Sequence, residues 1–136
     1  MPQQLFGDVE DERRIVICDM EAGVGTIVRN GNGDLVIVVA EPTVKSIDVA
    51  RRAAGAASAQ GAEVIVVANR VRGEADTQAI GAALDGHEIV VVPEDPAIAR
   101  ADEEGRAPID VDRGAPGVKA LIGLAERLGT MPARAV

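Results

Sequence analysis

Four short apolar, β-branched runs in this chain each end in polar or turn-forming residues, and those ends hold most of its candidate chemistry. The run Arg14-Ile15-Val16-Ile17-Cys18 passes into Asp19-Met20-Glu21-Ala22-Gly23-Val24-Gly25-Thr26. Leu35–Val39 passes into Ala40-Glu41-Pro42-Thr43, Val64–Val67 into Ala68-Asn69-Arg70, and Glu88–Val92 into Pro93-Glu94-Asp95-Pro96. An Asp that closes an apolar strand suits Mg²⁺, which takes one or two carboxylates and keeps several waters. Asp19 serves equally well as a turn cap, and Glu21 reads first as a solvated loop charge. Gly23 and Gly25 let backbone N–H groups approach a phosphate or simply make a tight turn. Asn69 offers the paired donor and acceptor that match an adenine edge, and is also a common turn residue. Asp95, set between two prolines, reads as a rigid turn before it reads as a ligand contact.

Several chemistries lack their residues. There is no Gly-x-x-x-x-Gly-Lys-[Ser/Thr] phosphate loop, and neither lysine, Lys45 or Lys119, follows a glycine-rich turn after a strand. Gly-x-Gly-x-x-Gly fails because Val28 stands at the third position after Gly23 and Gly25. His87 is the only histidine and reads as a surface residue; Cys18 is the only cysteine and reads as an inert core thiol. That excludes a Ser-His-Asp machine without a nucleophile elbow, an intrachain disulfide and any multi-cysteine metal site. A phospho-receiver domain would need an earlier acidic pair and a late strand-end lysine, and neither is present.

These candidates need a scaffold that brings strand ends to one edge. None of the four runs alternates apolar with polar residues, so each predicts a strand covered on both faces, as in a parallel sheet. A helix is expected over roughly Ser46–Gln60, with Thr43 or Ser46 as cap and Gly61 as stop. Another is expected over Asp76–Leu84, closing at Asp85-Gly86. A last one runs from about Pro116 to Leu128, burying Val118, Leu121, Ile122, Ala125 and Leu128. The expected fold is α/β: a mostly parallel sheet of about four strands flanked by helices, with ligands gathering at the carboxyl ends of the strands. The expected organisation is an acidic tail over 1–13, one domain over 14–129 and a tail over 130–136.

Composition narrows the partners. The 136 residues carry a net charge of −8, which opposes binding to a phosphate backbone, and Phe6 is the single aromatic, which removes base-stacking platforms. No apolar run reaches the ~18 residues of a membrane span and the start is not a signal peptide, so neither nucleic acid nor membrane is expected and the cytoplasm is the expected location.

Taken together, the strand ends resemble the MinD/ParA/nitrogenase-iron-protein class of deviant P-loop ATPases, most closely those that support nickel insertion into carbon monoxide dehydrogenase. Ile15–Gly23 looks like the Walker B strand and switch II of that group, and Val38–Thr43 with Ser46-Ile47 like its next strand and helix start. Val67-Ala68-Asn69-Arg70-Val71 resembles the adenine-reading segment, and Val92-Pro93-Glu94-Asp95 with Ile98, Ala101 and Asp102 the Pro-x-Asp loop beside the base. The likeness covers about Arg14–Leu128 and corresponds to the C-terminal half of the class, a truncated P-loop NTPase fold without the phosphate-loop strand.

The resemblance implies ATP or ADP with Mg²⁺ as ligands. Asp19 would hold a Mg²⁺-bound water, Gly23 would sense the γ-phosphate, and Asn69, Arg70, Pro93 and Asp95 would frame adenine. The sequence departs from the class in lacking the two phosphate-loop lysines and the metal-binding cysteine pair, and in reading Gly25-Thr26 where the subfamily carries Glu-His. In that class the phosphate-loop strand lies between the strands equivalent to 15–18 and 35–39. The gap is expected to close by direct pairing, by homodimerisation or by a complementing chain. The expected function is a nucleotide-binding, ATPase-like domain, inactive alone and dependent on a partner. A non-catalytic interaction or regulatory module of the same descent is the alternative, and an expressed fragment without independent function a third.

Overall fold

The computed structural model describes residues 15–20 and 34–132. Three strands form one parallel sheet in the order β1-β2-β3: β1 Leu35–Ala40, β2 Glu63–Val71 and β3 Glu88–Pro93. The helix α1 Val44–Ala59 joins β1 to β2, and α2 Glu74–Ala83 joins β2 to β3. After β3 come α3 Pro96–Glu104, the single turn α4 Pro108–Val111, and α5 Pro116–Gly129.

The turn chemistry explains the boundaries. Thr43 is the cap of α1, its hydroxyl accepting from the Ser46 N–H at 3.2 Å, while the Ser46 Oγ accepts from the Glu41 N–H at 2.9 Å. Gly61 (φ +83°) and Gly86 (φ +88°) take the left-handed conformation that releases the chain after α1 and α2.

Register and pleat sort the strand residues onto two faces. Val38 pairs with Val66 and Val66 with Ile89, so these residues share the face that α1 and α2 cover. Four alanines of α1, Ala50, Ala53, Ala54 and Ala57, lie against it with Ile80 and Leu84, and their small side chains bring the helix close. On the opposite face Ile65, Val67 and Val92 are buried, and α5 packs against β3. The third layer is a small cluster of Ala97, Ala115 and Val118, which locks α3 onto α5.

Three expectations need correction. Ile15–Cys18 is not a strand: residues 15–20 carry no regular structure and all are exposed, with Ile17 at 78%. A strand exists only through its neighbour's hydrogen bonds, and among the described residues nothing pairs with this run. The described sheet therefore has three strands, 15–18 does not pair with β1, and the Cys18 thiol is exposed rather than in the core. Leu121 and Ala125 are exposed too; they line an apolar groove of about 220 Å³ with Pro108, Ile109, Val118 and Ile122, while α5 packs on the α3 cluster through Val118 and Ile122. His87 is half-buried in the turn after α2. Among the described residues no helix is long and apolar enough to cross a membrane.

Candidate functional site

The carboxyl ends of β2 and β3 open onto a cleft of about 490 Å³. Asn69 and Arg70 come from β2, Pro93, Glu94 and Asp95 from the end of β3, and Ile98, Ala99 and Asp102 from one side of α3. Arg106 and Pro108 close the far wall. A volume of this size lies within the range of small-ligand pockets, and its mix of flat apolar and convergent polar groups is typical of them.

A backbone irregularity sets the Asn69–Arg70 wall. Asn69 pairs with Val92 and Val71 with Pro93, leaving Arg70 as the extra residue of a bulge. Arg70 has φ +56°, the one non-glycine residue with positive φ among those described. β2 thus continues past Ala68, where the apolar run ends, and the bulge re-aims the chain at the cleft rim. The Arg70 guanidinium spans the ends of the two flanking strands, 3.7 Å from Glu41 and 3.5 Å from Glu94. These are long, half-exposed pairs that contribute little to stability and leave the side chain free to move. The strain is testable without the ion pairs: Arg70→Gly and Arg70→Val both lose them, yet Val should be less stable by roughly 1 kcal/mol, because it cannot adopt positive φ cheaply. Equal urea midpoints for the two variants would contradict the strained geometry.

Glu94 anchors the outer rim. The hydrogen bond from Arg72 Nε to Glu94 Oε2, 2.9 Å, together with the charge of Arg72, holds its carboxyl below the ordinary range, and Arg70 adds a smaller pull. A depressed folded-state value means that the contribution is complete above the unfolded value and is lost as pH falls through the folded one. The stability difference between the wild type and Glu94→Gln should therefore be largest near neutral pH, shrink on acidification below the ordinary glutamate range, and fade in high salt. A difference independent of pH would contradict the pairing.

Asp95 does something the sequence reading missed. It is buried, and its carboxyl accepts from two backbone N–H groups: Ala97 at 2.9 Å through Oδ1 and Gly117 at 2.7 Å through Oδ2. The first bond caps α3; the second ties the first turn of α5 to the end of β3. Asp95-Pro96 is thus a helix start, and Gly105 (φ +64°) its stop, a signal pair legible in the sequence that would have located α3 and with it Ala99 in the cleft wall. Arg106 and Pro108 carry no comparable signal. Arg106 is placed by its bonds to the Asp110 carbonyl, 2.9 Å, and to Glu104, 3.3 Å.

Four of the six sequence candidates, Asn69, Arg70, Pro93 and Asp95, therefore line one cleft. Asp19 does not line it; it is exposed in the stretch 15–20, and Gly23 lies outside the described residues. The donor set suits a base or nucleoside: an amide with donor and acceptor, a guanidinium that can stack, and apolar walls. Among the described residues there is no group of three or more His, Cys, Asp or Glu that could hold a metal ion.

No family model matches the chain. An uncharacterized ATP-binding protein of Methanocaldococcus jannaschii is 29% identical over 132 residues, which span 93% of this chain and 50% of that protein. The cell division protein MinD of Aquifex aeolicus superposes with a TM-score of 0.57 at 25% identity, over 82% of this chain and 51% of that one. The fold is MinD-like. The likeness covers a P-loop NTPase fold built on a parallel sheet, and the chain spans about half the length of each of these two relatives. In this MinD-like half the cleft lies at the carboxyl edge of the sheet, where open α/β folds place their ligands.

Proposed function

We propose that this chain is the base-binding half of a MinD-type nucleotide site, in which the cleft takes the adenine of ATP or ADP. The observation that carries the reading is the convergence of Asn69, Arg70, Pro93 and Asp95, residues 26 positions apart at most, on one cleft beside α3. The likeness to a protein named as ATP-binding and to MinD points the same way. In this reading the Asn69 amide meets the adenine edge, the Arg70 guanidinium lies against the ring, and Pro93, Ile98 and Pro108 supply apolar walls. Asp95 is a positioning residue: its oxygens are committed to Ala97 and Gly117, and they hold α3 and α5 at the rim.

Phosphoryl transfer has no machinery in these residues, because catalysis of that step is positioning and charge stabilisation by lysine, arginine and metal around the phosphates. The chain alone should bind nucleotide at millimolar strength, about −4 kcal/mol, and should not hydrolyse it. Magnesium would enter with the phosphates through Asp19, and the phosphate-binding part would come from other polypeptide. The resemblance to nickel-insertion ATPases brings no nickel role, since Cys18 is the only cysteine and lies exposed. The second reading, a non-catalytic interaction module, draws on the exposed apolar groove along α5.

The test is an amide-resolved NMR titration with adenosine at several millimolar. Shifts at Asn69, Arg70, Ile98 and Ala99 are expected. Shifts confined to other surfaces, or none, would overturn the assignment.

A further inference from the structure

We propose that Asp85-Gly86 is a modification site that needs no enzyme, at which the Asp85 carboxyl and the Gly86 amide nitrogen close a succinimide that reopens as isoaspartate. The pair lies in the turn that joins α2 to β3, at the amino end of that strand, whereas the cleft opens at its carboxyl end. Both residues are exposed. The Asp85 carboxyl makes one bond among the described residues, and its partner is the group that would attack it: the Gly86 N–H donates to Oδ1 at 3.0 Å. The side chain is thus already folded back over the following amide, and the carboxyl carbon lies no more than one C–O bond beyond that contact.

The fold supplies the other requirements. Gly86 has φ +88°, so the turn demands a glycine, and the missing Cβ leaves the attacking nitrogen unshielded. A Cβ built there would meet nothing within 4 Å, which leaves room for a five-membered ring. The turn is loosely tied, since the His87 N–H reaches the Leu84 carbonyl at 3.4 Å, beyond the ordinary hydrogen-bond length. Other described aspartates lack this combination. Asp48, Asp76, Asp102 and Asp110 precede residues that carry a side chain, and the nitrogen after Asp95 belongs to proline and has no proton to lose.

The chemistry balances with water alone. The Gly86 nitrogen gives up its proton and bonds to Asp85 Cγ, the C–OH bond of the protonated carboxyl breaks, and water leaves. A second water then opens the ring. Addition at Cγ restores aspartate. Addition at the main-chain carbonyl of Asp85 breaks its bond to the Gly86 nitrogen, so that the chain now runs through Cγ. The product has the same mass, one more main-chain CH2 and a carboxylate on Cα. The insertion falls between Leu84, buried in the core, and Glu88, where β3 begins to pair with Ile65.

The full chain, kept folded at neutral pH and physiological temperature for several weeks, is compared with a synthetic peptide of residues 82–90. Mass spectrometry with backbone fragmentation that distinguishes the β-linkage reads both. In the protein the readout is the tryptic fragment 73–100, which separates this site from Asn30-Gly31 and Asn32-Gly33. Isoaspartate is expected at position 85 with no change in mass, ahead of Asp76 in the same fragment, and at a rate no lower than in the peptide. Asp85→Glu, which could close only a six-membered ring, should abolish it. A rate in the folded chain about tenfold or more below that of the peptide, as when a turn must first open, would overturn the proposal. So would isoaspartate that forms at Asp76 as fast as at Asp85.

Discussion

Asp95→Ala should lower the stability of this protein by about 3 kcal/mol, because one carboxyl closes two junctions at once. Loss of the cap on α3 costs about 1 kcal/mol. Loss of the buried, charge-assisted bond to the Gly117 N–H adds about 2 kcal/mol, since that donor is left without a partner away from water. For a domain of this size the sum corresponds to a fall in melting temperature of roughly 10–15 °C, read by far-ultraviolet circular dichroism. Asp95→Asn keeps one acceptor and should fall between the two. The cleft should suffer with the fold, as α3 and the first turn of α5 lose their common anchor. A melting temperature for Asp95→Ala within about 2 °C of the wild type, the range of an ordinary surface change, would contradict this role.

Gly117→Ala should be the second large effect, and for a steric reason. A Cβ at this position would lie 2.8 Å from Asp95 Cβ, which is fixed to the backbone, 2.9 Å from Ile98 Cδ1 and 3.1 Å from Asp95 Oδ2. Overpacking of this kind costs about 1–3 kcal/mol, and the gain in helix propensity from Gly to Ala recovers less than 1 kcal/mol in a first turn. A net loss of about 2 kcal/mol in urea unfolding is expected. The same pair should be coupled: Asp95→Ala removes the 3.1 Å contact with Oδ2 and the bond that draws Gly117 against Asp95, though it keeps the Cβ at 2.8 Å, so the double variant should cost less than the sum of the single ones. Additive losses would mean that Gly117 and Asp95 do not share the close contact.

The contrast between these two residues shows what was legible in the sequence. β2 and β3 announce themselves as unbroken β-branched runs, and α1 and α5 by periodicity and caps, because those signals are local. Asp95 is legible as a turn or cap for the same reason, but its second partner lies 22 residues away in α5, and no spacing rule marks a backbone N–H as a tertiary partner. The left-handed Arg70 was invisible, since positive φ is announced by glycine or asparagine and here falls on an arginine held by the bulge between Asn69 and Val71. Ile15–Cys18 has the composition of a strand and, among the described residues, no partner to make it one; composition reports how a run prefers to be buried, not whether a neighbour exists. Leu121 and Ala125 make the same point for helices: they lie on the predicted apolar stripe of α5 yet are exposed along the groove they share with Pro108 and Ile109. Asn69, Arg70, Pro93 and Asp95 were named from strand ends and a family likeness, whereas their meeting in one cleft depends on α3, the helix that the sequence reading passed over.

The central claim is that this cleft binds a nucleotide through its base, and calorimetric titration with Mg-ATP and Mg-ADP, of the wild type and of Asn69→Ala, tests it most directly. Millimolar binding that is nearly equal for the two nucleotides, and several-fold weaker in the variant, is the predicted result. No binding at millimolar nucleotide, or binding that Asn69→Ala leaves unchanged, would contradict it and would leave the MinD-like fold as ancestry without the ligand.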